Sequence, residues 1–156
     1  VTDDLAPLQR LVADLLVRTG APERRSLLRA IARDVRQGQA TRIAAQQNPD
    51  GTPFAPRKPK VAPTGSRLRR QGRVRTRALF ARLRLARHLK AGATPDEAWV
   101  GFAGRAARIA RVHQEGLSDS PAPGQPAVRY ARRVLLGMTE AEQARLLDLV
   151  LAHVAA

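Results

Sequence analysis

The chain of 156 residues contains no cysteine. That excludes a disulfide scaffold, a thiolate metal site and a cysteine nucleophile, and leaves the redox compartment open. Aromatic residues are nearly as scarce: Phe54, Phe80, Trp99, Phe102 and Tyr130 are all there are. A core must therefore come mainly from Leu, Val, Ile and Ala, which suits helices better than a β-sandwich. No apolar run approaches the roughly 18 residues that cross a bilayer, and no charged start leads into an apolar stretch with a cleavage site. A soluble, unexported product with no membrane partner is expected. Acidic residues are missing from one long stretch, since neither Asp nor Glu occurs from Gly51 to Pro95.

What is present in that stretch is positive charge. The chain carries 28 basic and 13 acidic residues for a net +15, and 25 of the basic residues are Arg. Thirteen of them (Arg57, Lys58, Lys60, Arg67, Arg69, Arg70, Arg73, Arg75, Arg77, Arg82, Arg84, Arg87 and Lys90) fall in the acid-free window, leaving +2 for the rest. A block of like charge repels itself unless an anionic partner or an acidic neighbour offsets it. The length fits a single domain, 1–156.

Leu5, Leu8, Leu11, Val12, Leu15 and Leu16 recur at helical spacing, so the pattern predicts an amphipathic helix over 3–18. After Gly20, Pro22 opens a second helix reaching about Gln46, with Leu27, Leu28, Ile31, Val35 and Ile43 on its apolar side and Gly38 as a possible interruption. Asn48-Pro49-Asp50-Gly51 is a turn signal that ends it. From 52 to 72, four prolines and the basic residues leave little to bury, and an extended basic, Pro-rich arm or loop is expected. Residues 74–82 are helix-compatible. A strand over 83–91 is expected to pair with 98–102 across a 92–97 turn. Residues 104–114 read as a helix closed by Gly116, 117–126 as a loop and 127–136 as a strand. Thr139 and Glu142 form a capping box for a last helix over 140–154, whose Leu146, Leu147, Leu149, Val150 and Leu151 are expected mostly in the core. The fold expected is α+β: a small antiparallel sheet of three or four strands packed with long N-terminal helices and a C-terminal helix.

Catalytic signals are weak. His88, His113 and His153 lie far apart without HxxxH, HExxH or a carboxylate cluster, so no metal or cofactor site is expected. No GxSxG elbow offers a nucleophile, and Gly101-Phe102-Ala103-Gly104-Arg105 lacks the third glycine of a dinucleotide loop, so it reads as a tight strand-to-helix turn. An enzyme acting on a small-molecule substrate is not expected. Thirteen cations could instead neutralise phosphates in a salt-dependent way. No helix-turn-helix glycine, zinc knuckle or aromatic stacking platform accompanies them, and a solvated or subunit-facing basic arm is the competing reading.

Several segments taken together resemble one family. Arg42-Ile43, Gln47-Asn48-Pro49-Asp50-Gly51-Thr52-Pro53-Phe54-Ala55-Pro56-Arg57-Lys58, Val100-Gly101-Phe102, Ile109 to Gly116 and Val128 to Gly137 are similar, in order and spacing, to the phage virion morphogenesis proteins of the tail completion (protein S) type. The resemblance runs from about residue 5 to the last helix. Ala131 departs from it, because the family usually has Pro after the Tyr.

The resemblance implies a non-enzymatic virion component of the tail or neck, assembled in the cytoplasm of a bacterial host. It would act at the head-proximal end and enable head-tail joining as a homo-oligomeric ring, often hexameric, around a DNA channel. Tail terminator, tube or connector proteins would be its other partners. Arg57, Lys58, Lys60, Arg67, Arg69, Arg70 and Arg73 are the candidate contacts to a subunit or to channel DNA. Asn48, Pro49, Asp50 and Gly51 are expected to form the arm's exit turn, and His113, Gln114, Glu115 and Gly116 a fold-critical turn. A free, sequence-independent nucleic-acid-binding protein is the alternative function.

Overall fold

The computed structural model describes residues 20–57 and 78–155. The helix expected over 3–18, most of the 52–72 arm and the start of the 74–82 helix lie outside them. Helix α1 spans Ala21–Ala44, with Pro22 and Glu23 in its first turn and Arg42 in its last. These positions suit the missing proline N–H and the helix dipole. The helix runs unbroken through Gly38, which faces Glu142 and Arg145 of the last helix. Strands β1 (Leu89–Ala93) and β2 (Ala98–Phe102) pair antiparallel, Leu89 opposite Phe102 and Ala93 opposite Ala98. The turn between them is closed by Thr94, whose N–H donates to the Glu97 carbonyl at 2.9 Å. Helix α2 spans Arg105–Glu115. Strands β3 (Ser118–Asp119) and β4 (Val128–Arg129) form a second antiparallel ribbon, and α3 spans Glu140–Ala155.

The class is α+β, with one correction to its sheet. Among the described residues the strands form two ribbons of two, not one sheet of three or four. The first expected strand begins only at Leu89, because residues 79–88 coil through successive turns, in which Leu83 N–H donates to Phe80 O and Leu89 N–H to Leu85 O. The strand expected over 127–136 keeps only Val128–Arg129. Beyond Tyr130 no strand of the described residues lies alongside: Arg133 N–H donates to the His113 carbonyl at 2.8 Å, and from Val134 on the backbone meets side chains.

One apolar cluster joins the layers: Ile43 of α1, Phe54, Leu83, Ala106 and Ala110 of α2, and Leu135, with Leu79, Phe80 and Phe102 packed around it. Phe54 and Phe80 meet edge to face at 5.7 Å. The capping box forms as expected, Thr139 N–H donating to Glu142 Oε2 at 2.8 Å and Glu142 N–H to Thr139 Oγ1 at 3.1 Å. Its carboxylate also pairs with Arg42 at 3.5 Å, and one turn on Arg145 donates through Nε and Nη2 to both carboxylate oxygens of Asp34 of α1 at 2.8–3.1 Å. Glu142, Leu146, Leu149, Val150 and His153 thus make the inward side of α3. Leu147 and Leu151, expected in the core, sit on the other side and are 59% and 57% exposed. The polar attachment fixes the rotation of the helix, and helical spacing then turns those leucines outward.

Trp99 lies across the ribbon on its register partner Gly92, where a Cβ would come 2.5 Å from the indole Cζ2. Gly92→Val must displace the ring, and we expect a loss of about 1–3 kcal/mol of stability. Urea unfolding followed by Trp99 emission measures it.

Candidate functional site

The segment from Tyr130 to Gly137 organises the centre of the molecule. Leu135 is fully buried, and its neighbours' peptide groups need partners that no adjacent strand supplies. Carboxamide side chains take that role. Asn48 Oδ1 accepts the Val134 N–H at 2.8 Å. Gln114 Oε1 accepts from Leu135 at 2.7 Å and Leu136 at 3.0 Å, while its Nε2 donates to the Leu136 carbonyl at 2.8 Å. Gln39 closes the row: its Oε1 accepts from Gly137 N–H at 3.1 Å and its Nε2 donates to Gly137 O at 2.8 Å. A carboxamide carries both a donor and an acceptor, so it can replace the edge of a missing strand.

Each of these amides is placed by its own local structure. Asn48 opens a tight loop in which Asp50 Oδ1 accepts from Thr52 N–H and Oγ1 at 3.0 and 2.6 Å, and Gly51 adopts φ +82°. Those bonds from Thr52 hold the Asp50 carboxyl below its ordinary pKa. Pro49 packs against Gly137, where a Cβ would approach its Cγ to 2.7 Å. Gln114 is carried by the last turn of α2, which Gly116 ends in the left-handed conformation at φ +69°. That conformation lets the chain fold back beside Arg132, and glycine adopts it without steric cost. Glu115, beside it, pairs with Arg111 on the surface at 3.3 Å.

Two buried arginines flank the segment. Arg42, 7% exposed, donates to the Leu135 and Gly137 carbonyls and to Gln39 Oε1, besides its pairing with Glu142. Burial lowers its pKa, and Glu142 partly opposes that. Arg133, 4% exposed, donates through Nε to Ala55 O at 2.8 Å and through Nη2 to Pro56 O at 3.0 Å. Its Nη1 meets His113 Nδ1 at 3.0 Å. A guanidinium only donates, so Nδ1 is the acceptor and the ring is neutral. Burial and the adjacent Arg133 charge push the His113 pKa down to about 4. The imidazole lies between Phe80 and Tyr130, with ring centroids at 4.8 and 4.9 Å. It works as a packing group and hydrogen-bond acceptor.

Asn48, Pro49 and Gln114 thus converge on the 132–137 backbone, with Asp50, Gly51, His113 and Gly116 shaping the approach. Glu115 stays at the surface. Of the candidate contacts in the basic block, Arg57 is described and lies near enough to Arg133 to lower its pKa further, after the effect of burial. Lys58, Lys60, Arg67, Arg69, Arg70 and Arg73 lie outside the described residues. Sequence reading missed Gln39, Gln46, Arg42 and Arg133 as structural polar groups. Gln46, at φ +61°, ends α1 and clasps Leu79, its Nε2 donating to Leu79 O at 2.9 Å and its Oε1 accepting from Leu79 N–H. The signal available for Arg42 and Arg133 was their place inside the segments that carry the resemblance; Gln39 had none. Among the described residues, no three His, Asp or Glu side chains are grouped to hold a metal ion, and no helix is long and apolar enough to cross a membrane.

The centre is built of amides, guanidinium groups and backbone. The chain belongs to the Phage virion morphogenesis family, which matches residues 3–155. It is 38% identical over 131 residues to Tail completion protein S of Escherichia phage P2, covering 83% of each chain. No solved structure matches it.

Two outcomes test the joint. Gln114→Ala strands two amide N–H groups and one carbonyl, and at about 1–3 kcal/mol for each buried unsatisfied group it should cost at least about 3 kcal/mol. Gln114→Glu keeps the acceptor and should cost less, as chemical denaturation will report. Because the folded pKa of His113 lies below its ordinary 6.5, the unfolded chain binds the proton first as pH falls. Stability should therefore decline from about pH 6.5 to about 4, and His113→Asn should remove that part of the slope of unfolding free energy against pH.

Proposed function

We propose that this protein is a structural virion component that completes a phage tail at its head-proximal end and prepares it for joining to the head. The observation that carries this reading is the 38% identity, over 83% of each chain, to Tail completion protein S of phage P2. In this reading it works as a homo-oligomeric ring around the DNA channel and contacts tail terminator, tube or connector proteins. It has no catalytic role and takes no small-molecule substrate. It resides in the virion tail or neck, after assembly in the bacterial cytoplasm.

Two structural features support an assembly role. Arg133 ties the Ala55 and Pro56 carbonyls to the core, so the basic block of the sequence starts from a fixed point. On α3 the exposed Leu147, Leu151 and Val154 recur at helical spacing and so share one face; a contiguous exposed apolar face marks a surface that partners cover. Charge-assisted contacts from Lys58, Lys60, Arg67, Arg69, Arg70 and Arg73 would reach acidic neighbours, or phosphates in the channel.

The test pairs two measurements. Arg67, Arg69 and Arg70 are changed together to Gln, and the variant is asked to restore infectious particles to a phage lacking its tail completion protein. Light scattering then gives the mass of the parent with and without short duplex DNA, at low and high salt. Lost complementation, with a parent that ignores DNA in solution, is the expected result. A monomer that binds duplex DNA in a salt-dependent way and never self-assembles would instead establish the nucleic-acid-binding alternative.

A further inference from the structure

Strand β2 has one edge with no strand beside it among the described residues. Thr94 N–H donates to Glu97 O and Ala103 N–H to His88 O, each at 2.9 Å, and the bonds of an antiparallel ladder recur at alternate residues. Trp99 and Gly101 therefore spend their peptide groups on β1, whereas those of Ala98, Val100 and Phe102 point away from it. The other edge of the ribbon is guarded by α1, from which Arg36 Nε donates to the Leu89 carbonyl at 3.0 Å. Beside Ala98, Trp99 and Val100 runs an open groove of about 280 Å³. Unpaired edges are usually blunted by charge, proline or a bulge. The run Ala98-Trp99-Val100-Gly101-Phe102 carries no charge and no proline, and its register with β1 is unbroken.

We propose that this edge pairs with the same edge of a second copy, antiparallel about a two-fold axis at Val100, so that two ribbons make one four-stranded sheet. The sequence suits that register. Val100 meets the partner's Val100, Ala98 the partner's Phe102 and Trp99 the partner's Gly101, so each aromatic residue faces a small one. The outward residues Ala98, Val100 and Phe102 then oppose one another, which puts their free N–H and C=O groups in hydrogen-bonding phase. Gly101 leaves room beside Trp99: a Cβ there would meet nothing within 4 Å among the described residues.

Charge fits the same register. Asp96 and Glu97 come level with the partner's Gly104 and the partner's Ala103, next to the partner's Arg105 at the start of α2. That helix has no acid in its first turn and no side-chain cap at Gly104. Glu97 and Arg105 are both exposed and have no ion-pair partner among the described residues. A carboxylate placed there is stabilised by the guanidinium and by the helix dipole, and the two-fold axis repeats the contact at both ends. A two-fold pair closes on itself, so contacts that build a ring fall elsewhere on the surface. The inference does not depend on the proposed role in tail completion.

Light scattering on the full chain without DNA should give twice the 17.0 kDa of one chain. Val100→Pro removes an N–H that β1 does not use, so the ribbon can persist while the edge is blocked. The expected result is the mass of one chain with the parent's circular dichroism spectrum. A monomeric parent would leave the edge to another protein and overturn the proposal, as would an oligomer whose mass the folded proline variant leaves unchanged. A charge swap tests the register without proline. Glu97→Arg and Arg105→Glu, each alone, should raise the dissociation constant of the pair several-fold at low salt, and the two together in one chain should restore it. Single changes without effect, or a double change without recovery, would overturn it too.

Discussion

The peptide groups of Val134 to Gly137 run through the middle of the molecule with no strand beside them, and leaving them unpaired would cost more than the domain could bear. Their partners are the carboxamides of Asn48, Gln114 and Gln39, which come from the loop after α1, the end of α2 and the interior of α1. Because one backbone segment must satisfy all three, those elements cannot shift independently. Leu135 is buried where they meet, so the apolar cluster and the polar row hold the same piece of chain. The arrangement is a sheet edge assembled from side chains, and it explains why the strand expected over 127–136 stops at Arg129.

The buried arginines extend the same joint to its surroundings. Arg42 binds the far end of the segment and pairs with Glu142, the residue that caps α3, so the start of the last helix is tied to the core through one carboxylate. Arg133 works on the other side, spending its donors on the carbonyls of Ala55, Pro56 and Ala131 and on His113. Carbonyl dipoles replace the water that a buried guanidinium loses. A carbonyl cage keeps the charge without adding an acid, and it fixes the point where the basic, acid-free stretch of sequence begins.

The segments that carry the family resemblance acquire a physical meaning here. The Asn48 to Gly51 loop, the His113 to Gly116 turn and the Val128 to Gly137 stretch are far apart in sequence and meet around one backbone segment. They are specific because each supplies a particular hydrogen-bonding group at a particular place. This joint ties distant elements together with few aromatic residues.

Local chemistry determined much of what the sequence made legible. The Pro22 start, the Thr139–Glu142 capping box, the Gly116 stop and the Asn48 to Gly51 turn depend on residues within a few positions of one another, so they could be read without the fold. The charge block was legible for the same reason, as a property of composition along the chain. Tertiary structure alone decided the rest. Gln39 in mid-helix looks like a solvated residue until Gly137, 98 positions away, is placed beside it. Leu147 and Leu151 look like core until Glu142 and Arg145 set the rotation of α3. Whether a β-prone stretch becomes a strand depends on a neighbour being available to pair with it, and that is settled by the packing of distant elements and not by the residues of the stretch itself.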